Sequence, residues 1–231
     1  MYRRWVLVII FLALSACSPA HDGFREGKAA YERGDFANAY KEFKILAEQG
    51  DARAQCLLGV MYERGEGLAQ DSTQAEKWYR KAAEQGFGPA QHNLGAMYGS
   101  GRGATQSYVE AEKWYRKAAE QGFALAQNNL GAMYEKGQGV PQDYTEAVKW
   151  YQKAADQRDA KAQINLGVMY ANGLGVSEDY LLAYMWLDLA AAQGDPDAQK
   201  KRDTVAEQMT PSQIAEAKRL VSEWKPKRKD K

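Results

Sequence analysis

One fourteen-residue string returns three times at a fixed interval, and this constrains the chain more than any other feature. Ala54-Gln55-Cys56-Leu57-Leu58-Gly59-Val60-Met61-Tyr62-Glu63-Arg64-Gly65-Glu66-Gly67 recurs as AQHNLGAMYGSGRG from Ala90, as AQNNLGAMYEKGQG from Ala126 and as AQINLGVMYANGLG from Ala162. The period is 36 residues without insertion or deletion, and eight of the fourteen positions are identical in all copies. The second half of each unit repeats too: Trp78, Trp114, Trp150 and Trp186 keep the spacing, as do Ala82-Ala83, Ala118-Ala119, Ala154-Ala155 and Ala190-Ala191. A unit this short cannot bury its own apolar face. It must stack on its neighbours, which makes the fold a one-dimensional array rather than a closed globule.

Each unit reads as two antiparallel helices. Ala90, Leu94 and Met97 fall at i, i+4 and i+7, one apolar stripe. The stripe stops at a Gly-x-Gly pair, where glycine adopts the left-handed backbone that ends a helix. Asp71, Ser107, Asp143 and Asp179 then mark the start of a second helix, with Gln74, Glu110 and Glu146 three residues on in the first three units. That spacing predicts a capping box. Ala75, Trp78, Tyr79 and Ala82 form the second stripe. Large residues alternate with small ones, which suits helices packed in a stack.

The pattern A-x-x-x-L-G-x-x-Y-x-x-G-x-G, followed by A-x-x-W-Y-x-x-A-A-x-x-G, closely resembles the Sel-1-like repeat family over about 140 of 231 residues. The resemblance implies an all-α, α/α superhelical solenoid of helix-turn-helix repeats related to tetratricopeptide repeats. It also implies a role as adaptor or scaffold. Four repeats occupy 51–194. Residues 26–50 look like a capping repeat with a shorter loop, because Tyr31 and Ala39 are 8 apart where Tyr62 and Ala75 are 13 apart. Residues 195–224 read as two capping helices. The second opens with Thr210 as N-cap and Pro211 at the first helical position.

The N-terminus reads as a targeting segment. Arg3 and Arg4 precede a continuous apolar run, Val6 to Leu14, far shorter than the ~20 helical residues that cross a bilayer. Leu14-Ser15-Ala16-Cys17 is similar to a bacterial lipobox, which implies a signal peptide over 1–16 and diacylglycerol on Cys17. Residues 17–25 are expected to be a tether from lipid to fold. In a Gram-negative cell, Ser18 in place of Asp favours the outer over the inner membrane, so the expected address is the periplasm-facing cell envelope. From Cys17 onward the formal charge is 29 − 30 = −1, which gives no global attraction to nucleic acid.

Positions that never vary between copies are expected to be architecture, and those that vary are free to carry specificity. The third motif position varies as Cys56, His92, Asn128 and Ile164, and the residue before the motif as Arg53, Pro89, Leu125 and Lys161. In related solenoids the first helices line the concave face, so the expected partner-binding set includes Arg53, His92, Leu125, Asn128, Lys161 and Ile164. Asn93, Asn129 and Asn165 form a ladder beside it. Either they bond to an adjacent loop or they touch bound peptide. Cys56, in an apolar stretch, is expected to be buried and inert.

No catalytic constellation emerges. Some secreted family members are linked to β-lactamase-type activity, but those carry paired cysteines that this chain lacks. Ser222-Glu223-Trp224-Lys225 matches S-x-x-K without its companion motifs. No His/Cys cluster suggests a metal, and no cofactor is implied. Lys225 to Lys231 form a basic tail, either solvated or touching anionic lipid or cell-wall polymer. The expected function is binding of a protein partner. Its rivals are a cell-wall-associated protein that binds or modifies peptidoglycan-type ligands, and a purely structural envelope lipoprotein.

Overall fold

The computed structural model describes residues 19–226, with side chains from 23 onward. The signal segment, Cys17 and most of the basic tail lie outside the described residues. Twelve helices follow one another in this part of the chain: α1 (Pro19–Glu32), α2 (Phe36–Glu48), α3 (Ala52–Arg64), α4 (Ser72–Glu84), α5 (Gly88–Ser100), α6 (Tyr108–Glu120), α7 (Ala124–Lys136), α8 (Tyr144–Ala155), α9 (Ala160–Asn172), α10 (Tyr180–Ala191), α11 (Pro196–Ala206) and α12 (Pro211–Glu223). No described helix is long and apolar enough to cross a membrane. Each helix from α1 to α10 packs against the next in chain order, and α12 packs on α10 rather than on α11. The result is an all-helical solenoid in which α3, α5, α7 and α9 are the first helices of the four repeats. The helix α1 includes residues 19–25, which the sequence assigned to a tether.

The Gly-x-Gly pair has two jobs. Gly65, Gly101, Gly137 and Gly173 have φ of +71°, +73°, +66° and +62°, and their N–H groups close on the carbonyls of Met61, Met97, Met133 and Met169. The second glycine docks the loop on the preceding unit. A Cβ at Gly139 would collide with the backbone of Tyr108, and one at Gly175 with that of Tyr144.

The second helices are capped as expected at one end of each bond. Asp71 accepts from the N–H groups of Thr73 and Gln74, Ser107 from that of Glu110, Asp143 from that of Glu146 and Asp179 from that of Leu182. The reciprocal half of the capping box is not made there. Glu110 and Glu146 instead pair with Lys113 at 2.6 Å and Lys149 at 2.5 Å. Both halves are present at Thr210 and Gln213, where no such lysine competes.

The core is layered. Each layer joins the second helix of one unit to the first helix of the next, as in Ala75, Tyr79, Ala82, Ala90, Leu94 and Met97. Leu58, Leu94, Leu130 and Leu166 are completely buried. The repeated tyrosines Tyr98 and Tyr134 are only half-buried and act through their hydroxyls. Arg80, held by Glu76, donates to Tyr98, and Arg116, held by Glu112, donates to Tyr134. At the C-terminal end α10 (YLLAYMWLDLAA) is apolar nearly all round, unlike the charged α4 and α6. α11 and α12 cover it, and Trp224 meets Trp186 edge-on at 5.9 Å.

Candidate functional site

The first-helix face is built on two ladders. The deeper one consists of Gln55, Gln91, Gln127 and Gln163, all buried. Each donates Nε2 to a carbonyl of the preceding second helix: Ala47 at 3.0 Å, Ala83 at 3.1 Å, Ala119 at 3.0 Å and Ala155 at 3.2 Å. Each also accepts through Oε1 from a glutamine thirty residues on: Gln85, Gln121, Gln157 and Gln193, at 2.7, 2.7, 2.8 and 2.8 Å. A buried amide must satisfy both ends, and this arrangement clasps three successive helices in doing so. The sequence displayed both glutamine rows, but nothing in it paired them.

The upper ladder is the asparagine row. Asn93 Nδ2 points to Cys56 Sγ at 3.9 Å, Asn129 Nδ2 to His92 Nε2 at 3.1 Å, and Asn165 Nδ2 donates to Asn128 Oδ1 at 3.0 Å. The partner is therefore the variable third position of the preceding repeat, not an adjacent loop. With Nε2 accepting, His92 keeps its proton on Nδ1 and donates to Asn93 Oδ1 at 3.1 Å. Its ring packs on Tyr115 at 5.6 Å and Phe123 at 5.5 Å. Burial holds the imidazole below its ordinary pKa, and burial pushes the Cys56 thiol up to about 12.

These contacts sort the expected binding residues. Asn128 is 8% exposed and Ile164 9%, so both face neighbouring helices and offer a partner little surface. His92 is enclosed in the ladder. Asn93, Asn129 and Asn165 are half-buried, each holding its neighbour through Nδ2. By contrast Arg53, Leu125 and Lys161 are exposed at the N-terminal ends of α3, α7 and α9, and Pro89 is half-buried at that of α5. Arg53 is held by Asp51 at 2.6 Å and lies 4.2 Å over the Phe24 ring.

Grooves run between the first helices. One of ≈ 490 Å³ lies between α1, α3 and α5, with Phe24, Leu57, Phe87 and Pro89 in its wall. Another of ≈ 320 Å³ lies between α5 and α7 over α6, lined by Ala96, Ser100, Asn129 and Ala132 with no charged residue. A third of ≈ 430 Å³ lies between α9 and α11 and includes Asp197, Lys200 and Lys201. α5 carries no charged residue at all, and α9 carries Lys161 alone. The charges of the repeats are densest on α4 and α6, while α3 carries Arg53, Glu63 and Arg64 and α7 carries Glu135 and Lys136 at its C-terminal end. On the second helices Lys81, Lys117 and Lys153 lie over the rings of Trp78, Trp114 and Trp150 at 4.1, 4.2 and 3.9 Å. Among the described residues no group of His, Cys, Asp and Glu is arranged to hold a metal ion.

Residues 52–87, 88–123, 124–159 and 160–195 match the model of the Sel1 repeat. Among solved structures, the chain is similar to c5321, a protective antigen present in uropathogenic Escherichia coli strains displaying an SLR fold, at 36% identity and a TM-score of 0.81 over 87% of this chain. It spans 44% of that longer protein. A Sel1 repeat protein from Oxalobacter formigenes is 33% identical with a TM-score of 0.72, over 85% of this chain and 84% of its own. The immunity protein Pa5087 from Pseudomonas aeruginosa, at 18% identity and a TM-score of 0.54 over 89% of this chain and 83% of its own, shares the fold. No functionally curated protein matches the chain.

Proposed function

The chain belongs to the Sel1 repeat family, and from that footing we propose that it is a lipid-anchored scaffold of the cell envelope that binds a protein partner along its first-helix face. Sel1 solenoids commonly serve as protein-interaction scaffolds, and the binding step asks no chemistry of the chain. The lipid is carried by Cys17 and the solenoid faces the periplasm, at the outer rather than the inner membrane. The lipobox-like Leu14-Ser15-Ala16-Cys17 is what supports this address.

The observation that carries the reading is the unequal distribution of charge. The groove between α5 and α7 is bare of charge between amide and small side chains, while ion pairs line the second helices α6 and α8. Surfaces depleted of charge at their centre and rimmed by polar groups are characteristic of protein interfaces. Arg53, Leu125 and Lys161, the exposed members of the sequence-derived set, stand on the rim of this face.

The test is co-purification from intact cells after crosslinking, comparing the parent with a variant in which Arg53, Leu125 and Lys161 are replaced by Ser. A specific protein captured by the parent and lost by the folded variant supports the reading. Equal capture by both removes the first-helix face as the site. Retention of the protein on purified cell wall without any protein partner replaces the scaffold with a cell-wall ligand. Separately, Cys17→Ser should move the chain from the membrane to the soluble fraction.

A further inference from the structure

Three asparagines reach back across the repeat joints, and their three partners respond differently to protons. Asn93 meets the Cys56 thiol, and Asn165 meets the amide of Asn128. Asn129 meets the imidazole of His92, with Nδ2 3.1 Å from Nε2. Of these groups only the imidazole is of a kind that gains charge in mild acid. The contact requires Nε2 to be the bare nitrogen, so the ring proton sits on Nδ1 and is donated to Asn93 Oδ1 at 3.1 Å.

A second proton can enter only at Nε2, where it would point at the amide nitrogen of Asn129. Two donors would then face each other. Asn93 offers no relief, because Nδ1 donates to it in both states and its own Nδ2 points to Cys56. A half-turn of the Asn129 amide removes the clash by bringing Oδ1 to Nε2–H. The Tyr115 hydroxyl acts on the same amide and can donate to Oδ1 once it has turned. The surroundings of the ring do not compete for the proton. Tyr115 of α6 and Phe123 of the loop before α7 pack on it, and Cys56 of α3 lies beyond Asn93. Burial pushes both the Tyr115 hydroxyl and the Cys56 thiol up to about 12, so both stay neutral. Among the described residues no carboxylate or cation acts on the imidazole, whose burial is opposed by the bond to Asn93 alone.

Asn129 also lines the uncharged groove between α5 and α7, next to Tyr115. While Nδ2 is spent on His92, Oδ1 has no bond among the described residues and is the atom that Asn129 offers to the groove. We propose that His92 and Asn129 form a proton-driven switch of what this groove recognises. With the imidazole neutral, the groove presents a carbonyl acceptor and favours N–H donors on the bound surface. With the imidazole protonated, Asn129 presents its NH2 group beside a new positive charge and favours carbonyl or carboxylate oxygen. The effect on recognition rests on the reading of this face as a protein-binding surface, whereas the turn of the amide belongs to the free chain.

The turn is tested by NMR of the full 15N-labelled chain in detergent, titrated from about pH 8 to about pH 4 across the range of the imidazole. His92 is identified by the loss of its signals in His92→Asn, which installs the residue that the next repeat carries as Asn128. At neutral pH the ring should carry its proton on Nδ1, and the Asn129 NH2 protons should show a nuclear Overhauser contact with it. That contact should vanish with the same midpoint as the protonation of His92, while the Asn165 amide stays unchanged. A neutral ring with its proton on Nε2 overturns the inference. So does a contact that persists on the protonated ring, or an imidazole that takes up no proton before the chain unfolds. For recognition, crosslinked capture from cells is compared at about pH 7.5 and about pH 5.5, either side of the ordinary imidazole range. A captured protein whose yield changes severalfold with pH in the parent but not in His92→Asn supports the switch. Equal pH dependence in both chains overturns its role in recognition and leaves the binding face standing. Capture of no protein at either pH overturns the binding face and that role together.

Discussion

Gln127 should be among the costliest polar residues to remove from this chain. It is 4% exposed, donates to Ala119 O at 3.0 Å and accepts from Gln157 at 2.8 Å. Each neutral bond is worth about 0.5–1.5 kcal/mol net. Truncation to Ala also withdraws one buried methylene, about 0.8 kcal/mol. The expected cost of Gln127→Ala is therefore about 2–4 kcal/mol. Gln157 is half-exposed, so water replaces much of what Gln157→Ala removes, and the expected cost is about 0.5–1.5 kcal/mol. The two residues share one bond, so the double variant should fall short of additivity by about 0.5–1.5 kcal/mol. Urea unfolding of the four proteins, followed by circular dichroism, measures all three quantities, provided the m-values agree across the set. Strict additivity, or a Gln127→Ala cost no larger than that of Gln157→Ala, would refute the clasp as a source of stability.

Gly131→Ala should destabilise although alanine favours helix by ~0.5–1 kcal/mol, because the new Cβ would lie 2.7 Å from the Tyr151 ring. Overpacking of this kind costs about 1–3 kcal/mol, and a raised melting temperature would contradict the close approach. His92 is held below its ordinary pKa of 6.5 by burial. The unfolded chain therefore takes up the proton first, and stability is lost as pH falls through 6.5 and below. His92→Asn, the residue of the next repeat, should flatten that slope in pH-dependent urea titrations, and an unchanged slope would assign it elsewhere. The Cys56 thiol, pushed up to about 12, should resist thiol reagents at neutral pH until the chain is unfolded; rapid labelling of the native protein would contradict its burial. Trp224→Ala should cost at least the ~0.5–1.5 kcal/mol of its ring pair with Trp186, read as a lower melting temperature.

The helix pairs, their stops at Gly65 and its equivalents, and the core Leu, Met and Trp positions could all be read from the sequence. Each is a local rule repeated at a period of 36. The contacts between repeats could not. Periodicity says that Asn93 and Asn129 are equivalent, but not that Asn129 reaches His92, since that pairing depends on the offset between stacked helices. The variable third position, Cys56 apart, is expected from the sequence to face a bound partner. The structure instead matches each of Cys56, His92 and Asn128 to the asparagine of the following repeat. Variation there reflects adjustment across a joint rather than exposure to solvent. At Glu110 and Glu146 the capping box stays open because Lys113 and Lys149, one turn further on, hold the carboxylates that would have closed it. Of the expected binding set, Arg53, Leu125 and Lys161 remain on open surface.

The central claim, that a protein partner lies along the first helices, is tested most directly by site-specific photo-crosslinking in intact cells. The photoreactive residue is placed at Leu125 on the first-helix rim or at Lys149, an exposed position on α8. The expected result is one defined protein adduct from position 125 and none from position 149. An adduct from 149 with none from 125 would put the partner on the opposite face and contradict the claim.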